Sequence, residues 1–559
     1  MSETKRDFLS AERKRLQREG LLPDWYTTDA WGLFKSKYME GSSSFKDRIQ
    51  TIAKTAAKHA PKDGTDWEQR FFDVIWKGWL SPSTPCLANL GTDKGMPVAC
   101  SGQYIGDSVT SFYGELLDTA MLTKHGFGTS GYLGDIRPRG SSITTGGSAS
   151  GVVPVFQTYV DTMKRVTQGV ARRGAWAGYL PIDHPDFNEL ADFVKNNPDD
   201  ANVGWNISDS FIELLNAGDP DSIARYQKAM KLKMLTGKGY FFFVDKVNRH
   251  RPPGYPEVLA SNLCTEITLH SGETETFTCV LASMNLEKYD EWKDTDAVYV
   301  STVFLDCVAS EFIEKAKGMR GFEKAVLSTE RSRALGLGVL GFHSLLHKRR
   351  IAFDSMKARL LNKEIFKFID EMSLQASEVM AQWLGGCHYN PTIRNTHRLA
   401  VAPTMSTSQL MGGTSQGIEP FIGNVFVQQG AGGETIRVVP EMLNIMKEKG
   451  VYNRETLMDI AAHDGSVQHV TWLSDDEKAV FKTAFEIDQN VILSLAAERQ
   501  PYICQAQSIN LFFGSDDPEE YISGVHKSAF MNENILSLYY VRTKAGVSAS
   551  SGECVACHA

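Results

Sequence analysis

The distribution of apolar and polar residues predicts helices that alternate with short buried strands. Between residues 355 and 384, apolar side chains recur at spacings of three and four, which indicates an amphipathic helix that ends at Gly385 and Gly386. Residues 240–244 form a short, continuous apolar run and predict a buried strand. Ser474 and Glu477 have the spacing of a capping box, which predicts the start of another helix. This alternation favours an α/β fold.

The N-terminal part differs from the part that follows it. Residues 1–80 are charged, show a helical pattern and contain tryptophans suited to packing. Pro82 and Pro85 interrupt that pattern, because proline removes a backbone donor from a helix. The chain is then rich in Gly, Ser and Thr to about residue 175. We expect loops at 126–131 and 140–147 that let the backbone approach a ligand closely.

The composition excludes several classes of protein. The chain has 559 residues, 42% hydrophobic and 23% charged, with a net charge of −8. These values exclude a disordered chain and a disulfide scaffold, and the mild acidity argues against a broad nucleic-acid-binding face. A secretory signal and a run of about 20 apolar residues are both missing, so we expect a cytoplasmic protein without a membrane span. Nine cysteines, an odd number, fit poorly with a structural disulfide framework.

The most informative cysteine is Cys264, which lies between Asn262 and Glu266. In an extended strand, side chains alternate between the two faces, so we expect these three residues to project to one side. An amide, a thiol and a carboxylate together can bind hydroxyl groups, accept a proton and present sulfur to a substrate. An ordinary strand with a buried cysteine would show the same pattern, and this alternative stays open.

The chain also ends in a pair of cysteines, Cys554 and Cys557, in a C-x-x-C motif within a small, polar segment. The sequence contains no second C-x-x-C, and His558 is too close to Cys557 for a usual zinc-ligand spacing. We therefore expect thiol–disulfide exchange at this pair, and no metal site. Cys100 and Cys279, each considered alone, are explained by packing as easily as by a chemical role, because free cysteines are commonly buried.

These motifs together resemble the large, catalytic subunit of class I ribonucleotide reductase. N-L-C-T-E-I at 262–267, S-L-Y-Y-V-R-T at 537–543, the two further cysteines and the terminal C-x-x-C occur in the order of that family. The resemblance runs from about residue 81 to the C-terminus. It implies an α/β fold, a ten-stranded barrel with the radical cysteine on a finger loop, preceded by a small helical region. The implied domains are the helical region 1–80, the catalytic barrel 81–540 and a flexible redox tail 541–559.

The resemblance implies a role for each residue of the cysteine constellation. Cys264 would be the thiyl radical that abstracts the 3′ hydrogen of the ribose. Glu266 would take the proton of the 3′ hydroxyl, and Asn262 would bind the substrate hydroxyls. Cys100 and Cys279 would supply the reducing equivalents and end as a disulfide. The implied reaction is the reduction of ribonucleoside diphosphates to 2′-deoxyribonucleoside diphosphates.

The family also implies partners. Cys554 and Cys557 would reduce the spent disulfide and would themselves be reduced by thioredoxin or glutaredoxin. Tyr539 and Tyr540 would relay the radical from a metal-containing small (beta) subunit, so this chain would bind no cofactor of its own. An adenosylcobalamin-dependent reductase is the alternative that keeps the fold. An inactive nucleotide-binding paralogue is a weaker alternative, because the redox cysteines are present.

Nucleotide contacts follow from the same resemblance. The hydroxyls of residues 404–408 lie ahead of a possible helix, a setting suited to phosphate, although an ordinary N-cap or polar loop would look alike. The family assigns them to the substrate diphosphate; Met405 stands where some relatives carry an acidic residue. The candidate hydroxyl residues are Thr404, Ser406, Thr407 and Ser408.

Further contacts concern allosteric control. The segment 168–174 resembles the loop that links the effector to base choice, which implies that Gln168 and Arg172 contact the substrate base; from its residues alone it would be a basic surface loop. The resemblance also implies that Asp107 lies at the site of a dNTP or ATP effector. The relatives form homodimers. The first 80 residues do not resemble the N-terminal ATP-cone domain of about one hundred residues that senses dATP, so we expect no overall inhibition by dATP.

Overall fold

The computed structural model describes residues 3–168, 172–430 and 433–544. Its N-terminal part is helical, as predicted, and the helices begin at capping side chains: Thr27, Ser44 and Asp66 each accept a hydrogen bond from a backbone N–H of the first turn. Buried aromatic rings hold the helices together, with Phe34 and Phe45 4.7 Å apart. The four helices are α1 (Glu3–Arg18), α2 (Thr28–Lys37), α3 (Phe45–Ala57) and α4 (Trp67–Trp76).

Strands and helices alternate through the rest of the chain. Five strands, β2, β3, β6, β7 and β8, run parallel to one another, and β9 pairs with β2 in the opposite direction and with β10 in the same direction. The strands are β1 (Leu80–Pro82), β2 (Cys100–Tyr104), β3 (Gly128–Tyr132), β4 (Thr167–Gln168), β5 (Arg172–Arg173), β6 (Trp176–Pro181), β7 (Asn202–Ile207), β8 (Tyr240–Phe243), β9 (Phe277–Asn285), β10 (Leu335–Leu340), β11 (Val425–Gly430), β12 (Gly433–Val438), β13 (Leu511–Phe513), β14 (Ser537–Leu538) and β15 (Val541–Thr543).

Short bridges close this sheet into a barrel. The 9-stranded sheet reaches from β10 to β14. β10 bridges to Leu399, Val401 bridges to Gln507, and β13 pairs with β15 just beyond β14. The backbone N–H of Tyr539 donates to the carbonyl of Ile509 at 2.8 Å. The ring therefore passes through ten segments: β2, β3, β6, β7, β8, 537–543, 507–513, 399–401, β10 and β9. The predicted α/β barrel is confirmed.

Helices cover the barrel. The most deeply buried is α13, which packs against α3, α4 and α16. The 3-10 turns are Leu286–Lys288 and Gln500–Tyr502. The remaining helices are α5 (Thr84–Asn89), α6 (Val109–Lys124), α7 (Val152–Arg165), α8 (Phe187–Asn196), α9 (Asp209–Ala217), α10 (Pro220–Thr236), α11 (Val244–His250), α12 (Tyr289–Trp292), α13 (Ala297–Ala316), α14 (Glu323–Ser332), α15 (Phe342–Lys348), α16 (Met356–Leu384), α17 (Met405–Leu410), α18 (Pro440–Glu448), α19 (Arg454–Ala462), α20 (Asp475–Val480), α21 (Gln489–Arg499) and α22 (Glu519–Met531).

Several local predictions are confirmed. The amphipathic helix is α16, capped by the hydroxyl of Ser355 and ended by Gly385 at φ 83°. The buried run is β8, with all four residues inside. The capping box forms at the start of α20, where Ser474 and Glu477 bond each other's backbone. Among the described residues, no helix is both long enough and apolar enough to span a membrane.

The loop predicted at residues 126–131 is wrong, because most of it is strand β3. Glycines in the barrel strands face large rings rather than a ligand. A Cβ at Gly102 would lie 2.3 Å from the ring of Phe277, and one at Gly204 would lie 2.2 Å from Tyr179. Small residues are thus required where aromatic side chains fill the interior. Pro85 likewise lies in the first turn of a helix, α5, where proline is tolerated.

Candidate active site

Cys264 lies at a turn, so the extended strand predicted for this segment is wrong. The backbone N–H of Thr265 bonds the carbonyl of Asn262 at 3.3 Å, and Thr265 has φ 70°, in the left-handed region. The turn breaks the alternation of side chains that a strand would impose. It nevertheless buries Asn262, Cys264 and Glu266 together, at 0%, 6% and 1% exposure. The three groups are therefore gathered by the turn and its hydrogen bonds.

Asn262 links this turn to Cys100. Its Nδ2 donates to Cys100 Sγ at 3.2 Å. Its Oδ1 accepts from the backbone N–H of Ile267 and from the hydroxyl of Ser261, both at 3.2 Å. The side chain does not line the cavity described below. Asn262 consequently fixes the turn in this structure.

Cys100 and Cys279 face each other across the barrel sheet. They are direct register partners in the antiparallel pair of β2 and β9. Directly opposed residues have Cα atoms about 4.5–5.5 Å apart, within the range that a disulfide requires. Burial raises the pKa of the Cys279 thiol well above its usual value, and the nearby Cys100 adds to that effect. The Nε2 of Gln505 contacts Cys279 Sγ at 3.8 Å.

Glu266 is a buried carboxyl group. Burial raises its pKa to about 7, while hydrogen bonds from its own backbone, Asn262 and Ser508 act in the opposite direction. The hydroxyl of Ser508 lies 3.1 Å from Glu266 Oε2 and 2.6 Å from the carbonyl oxygen of Cys264. A carboxyl group with a pKa near neutral can both accept and return a proton.

Two adjacent buried tyrosines lie next to Cys264. The hydroxyl of Tyr539 donates to Cys264 Sγ at 3.4 Å, and its ring centroid lies 4.1 Å from that of Tyr540. Tyr539 is fully buried and Tyr540 is 7% exposed. Tyr240, which the sequence analysis missed, donates its hydroxyl to that of Tyr540 at 3.3 Å. A continuous aromatic path therefore ends at the sulfur.

A buried lysine hydrogen-bonds the backbone beside this tyrosine path. The Nζ of Lys233 donates to the carbonyl oxygen of Tyr539 and to that of Gly239 at 3.2 Å. Burial lowers the pKa of Lys233 to about 7. The sequence analysis missed this residue, because one lysine in the amphipathic helix α10 carries no signal of burial.

A single cavity brings most of the predicted groups together. Cys100, Cys264 and Glu266 line one part of it, and residues 403–407 at the start of α17 line another. Thr404 Oγ1 accepts a hydrogen bond from the backbone N–H of Gly417 at 2.7 Å. The predicted hydroxyls that line the cavity are those of Thr404, Ser406 and Thr407.

Ser408 and Cys279 do not line the cavity. Ser408 is 2% exposed, and its hydroxyl donates to the carbonyl of Met405 at 3.1 Å. Cys279 is fully buried and lies behind its register partner Cys100.

Four hydroxyl residues of the cavity lining escaped the sequence analysis: Ser81, Ser83, Thr84 and Ser283. The hydroxyl oxygens of Ser81 and Ser83 are buried and have no hydrogen-bond partner within the described part of the chain. Buried polar groups are normally paired, so these two are suited to a polar ligand. Ser81, Ser83 and Thr84 stand in the segment Ser-Pro-Ser-Thr-Pro at 81–85, whose prolines predict only the end of a helix.

The predicted base-contact residues and the predicted effector residue lie on different segments of the chain. Gln168 and Arg172 are register partners at the ends of β4 and β5, and their side chains lie outside the described structure. Asp107 lies between β2 and α6, where its Oδ2 accepts from Arg137 Nε at 2.5 Å. Cys554 and Cys557 lie outside the described residues.

One group of side chains in the described ranges has the composition of a metal site. Ligand atoms of Asp459, His463 and His469 lie within 4.8 Å of one another, and all three residues are exposed. The imidazole rings stack in parallel at 3.7 Å, and His469 Nε2 lies 2.8 Å from Asp459 Oδ2. His463 Nδ1 also lies 2.8 Å from the carbonyl oxygen of Asp459, so hydrogen bonds within the cluster account for its arrangement.

Comparison with known proteins agrees with this geometry. The ribonucleotide reductase barrel-domain model matches residues 98–225, 222–392 and 388–541, and the all-alpha-domain model of the same enzymes matches 26–95. A class Id ribonucleotide reductase alpha subunit from Actinobacillus ureae superposes with a TM-score of 0.86 at 36% identity, covering 95% of this chain and 99% of that one.

Curated relatives match over most of this chain. The putative ribonucleoside-diphosphate reductase large subunit of Frog virus 3 is 33% identical over 86% of this chain and 88% of its own. The vitamin B12-dependent ribonucleoside-diphosphate reductase of Thermoplasma acidophilum is 29% identical over 89% of this chain and 67% of its own. The fold and site therefore define an α/β-barrel oxidoreductase. The chain belongs to the ribonucleotide reductase large-subunit family.

Proposed function

We propose that this chain reduces ribonucleoside diphosphates to 2′-deoxyribonucleoside diphosphates by thiyl-radical chemistry. One observation carries the proposal. Cys264, Glu266 and Cys100 line a single cavity, and Cys100 is the register partner of Cys279. One sulfur is thereby available for a one-electron step, and two opposed sulfurs for a two-electron reduction.

The reaction balances with these groups. Cys264, as a thiyl radical, takes the hydrogen atom from C3′ of the ribose, and ionised Glu266 takes the proton of the 3′ hydroxyl. The 2′ hydroxyl leaves as water. Cys100 and Cys279 give up two electrons and two protons and become joined as a disulfide. Glu266 then returns its proton, and Cys264 returns its hydrogen atom to C3′.

Hydroxyl groups along the cavity suit the diphosphate. Thr404, Ser406 and Thr407 offer donors on one side, and Ser81 and Ser83 offer two unused hydroxyls on another. Hydroxyl donors bind phosphate oxygens through charge-assisted hydrogen bonds. Asn262 contributes indirectly, by fixing the turn next to Cys100.

The radical arrives through Tyr540 and Tyr539 from a metal-containing small subunit. The short contacts from ring to ring and from Tyr539 to Cys264 support this class I assignment. One relative is named a vitamin B12-dependent reductase, so an adenosylcobalamin-dependent enzyme is the alternative that must be tested. Activity that requires the small subunit supports our assignment. Activity with adenosylcobalamin alone supports the alternative.

The remaining roles complete the cycle. Cys554 and Cys557 reduce the Cys100–Cys279 disulfide and are recharged by thioredoxin or glutaredoxin. Gln168 and Arg172 relate base choice to a dNTP or ATP effector bound near Asp107, in a cytoplasmic homodimer.

Cys264→Ser tests the proposal directly. Serine keeps the size of the side chain but cannot form a thiyl radical, so the variant makes no deoxynucleotide with its small subunit and a reductant. Cys307→Ser is the matched control, because Cys307 is fully buried in α13, away from the cavity. Turnover by Cys264→Ser at the rate of the control refutes the proposal.

A further inference from the structure

The hydroxyl of Ser508 contacts two oxygen atoms but has only one proton to donate. Its hydroxyl lies 2.6 Å from the carbonyl oxygen of Cys264 and 3.1 Å from Glu266 Oε2. A carbonyl oxygen only accepts hydrogen bonds, so the shorter contact takes the hydroxyl proton. The contact with Glu266 then requires a proton on the carboxyl group, which donates to the hydroxyl oxygen.

Ionised Glu266 reverses this arrangement. A carboxylate only accepts, and a buried charge is stabilised by every donor within reach. Besides the Glu266 backbone and Asn262, the hydroxyl of Ser508 lies within reach at 3.1 Å, so it turns towards Glu266 and the carbonyl of Cys264 loses that donor. One hydroxyl therefore serves either the carboxylate or the turn that carries the reactive sulfur.

We propose that Ser508 is a positioning residue that couples the proton of Glu266 to the anchoring of the Cys264 turn. While Glu266 is protonated, Ser508 donates to the Cys264 carbonyl and the turn is held. When Glu266 releases its proton to solvent through the cavity, the hydroxyl rotates to the carboxylate and the turn loses this one anchor, while the bonds of Asn262 and Ser537 remain. Only hydrogen bonds and one proton change place. The catalytic meaning of this coupling rests on the proposed function.

Few other groups titrate near Glu266. Asn262 and Ser508 contact it directly, and the elements packed around it contribute thiols and phenols. Glu419, whose pKa burial also raises to about 7, accepts a hydrogen bond from Asn510, two residues beyond Ser508, and does not line the cavity. The cavity lining within the described residues includes no lysine, arginine, aspartate or second glutamate. Burial keeps the pKa values of Cys279 and Tyr179 well above their usual values. The facing titratable groups are Cys264 on the turn, Cys100 on β2, Cys279 on β9, Tyr179 on β6 and Tyr539 after β14.

Infrared difference spectroscopy on this chain alone tests the coupling without any turnover. The full chain is labelled with carbonyl-13C cysteine, and spectra at about pH 6 and about pH 9 are compared, on either side of the Glu266 pKa of about 7. We expect the protonated carboxyl band of Glu266 to vanish at the higher pH. In the same step, one labelled carbonyl band moves to higher wavenumber as it loses its donor. Both changes are absent in Glu266→Gln.

Two serine variants separate coupling from simple support. In Ser508→Ala, the carboxyl band lies at higher wavenumber and the labelled carbonyl no longer responds to pH. Ser537→Ala is the matched control, because its buried hydroxyl bonds the Thr265 carbonyl of the same turn at 3.0 Å without touching Glu266. It behaves like the wild type.

The proposal is overturned if Glu266 ionises with no change in a cysteine carbonyl, or if no Glu266-dependent carboxyl band exists at about pH 6. The wild-type and Glu266→Gln spectra decide this even if Ser508→Ala does not fold. A chain that shows the coupling but makes no deoxynucleotide would refute the proposed function and leave this inference standing.

Discussion

At the residue scale, one or two neighbouring side chains hold each of the proposed reacting groups in place. Cys264 contacts Tyr539, Glu266 contacts Ser508, and Cys100 accepts from Asn262. Sequence patterns identified Cys264 and Glu266, because adjacent residues of unusual chemistry can be read directly. They could not identify Ser508, which lies 242 residues after Glu266 and meets it only in the closed barrel.

Ser83→Ala tests whether the unused hydroxyls of the cavity bind substrate. The hydroxyl makes no hydrogen bond within the described structure, so its loss does not lower the Tm. Loss of one hydrogen bond to a charged phosphate raises KM by about tenfold. Ser101→Ala is the control, because its hydroxyl is equally buried and unpartnered among the described residues but does not line the cavity. Equal KM values in the two variants would contradict the assignment.

Lys233→Met tests the cost of a buried ammonium group. The pKa of Lys233 falls to about 7 in the folded chain, so between about pH 7 and pH 10 the unfolded chain binds more protons. Folding is therefore stabilised as the pH rises through this window. We expect the Tm of the wild type, measured against that of Lys233→Met at each pH, to increase from pH 7 to pH 10. A constant difference would show that Lys233 is charged in the folded protein throughout this range.

At the element scale, strand register supplies the geometry that chemistry requires. Pairing of β2 with β9 opposes Cys100 to Cys279, and the strand end after β14 places Tyr539 against Cys264. Local patterns predicted α16, β8 and the cap of α20, because those signals lie within one element. They failed at β3, since Gly131 is explained by close packing against Ile105 and the ring of Trp176 on β6, and at the Cys264 turn, where Thr265 has a positive φ.

Phenylalanine substitutions test the tyrosine path. Tyr539→Phe and Tyr540→Phe keep the rings but remove the phenol that carries a radical, so we expect turnover with the small subunit to fall by at least about 100-fold, or ~2.7 kcal/mol. Tyr240→Phe is the control, because this ring contacts both tyrosines and also loses a hydroxyl. We expect a loss below about tenfold for the control. Full activity in the first two variants would refute radical transfer along this strand.

At the scale of the whole molecule, the barrel would separate the proposed radical chemistry from the proposed recharging by the terminal dithiol. The site is enclosed by buried residues, and Cys100 and Cys279, the pair proposed to form the disulfide, lie on β2 and β9 at 8% and 0% exposure. A protein reductant cannot reach such a bond directly, which is the physical reason for a shuttle. The resemblance predicted the barrel and its radical cysteine, whereas the closing bridges at Leu399 and Gln507 follow from no local pattern.

Removal of the terminal dithiol tests the shuttle. Cys554→Ser with Cys557→Ser should leave turnover with a small dithiol intact, because a small molecule can enter the cavity. The same variant should lose turnover with thioredoxin or glutaredoxin, since the protein reductant then has no dithiol to recharge. Equal loss with both reductants would contradict the shuttle.

The central claim is tested most directly by a single turnover without external reductant. Reduced chain, its small subunit and a ribonucleoside diphosphate are mixed in a chain that carries Cys554→Ser and Cys557→Ser, and deoxynucleotide and disulfides are counted by chromatography and peptide mapping. We predict one Cys100–Cys279 disulfide for each deoxynucleotide formed, and neither product when Cys264→Ser is added. Deoxynucleotide formed without that disulfide, or formed by the Cys264→Ser chain, would contradict the account.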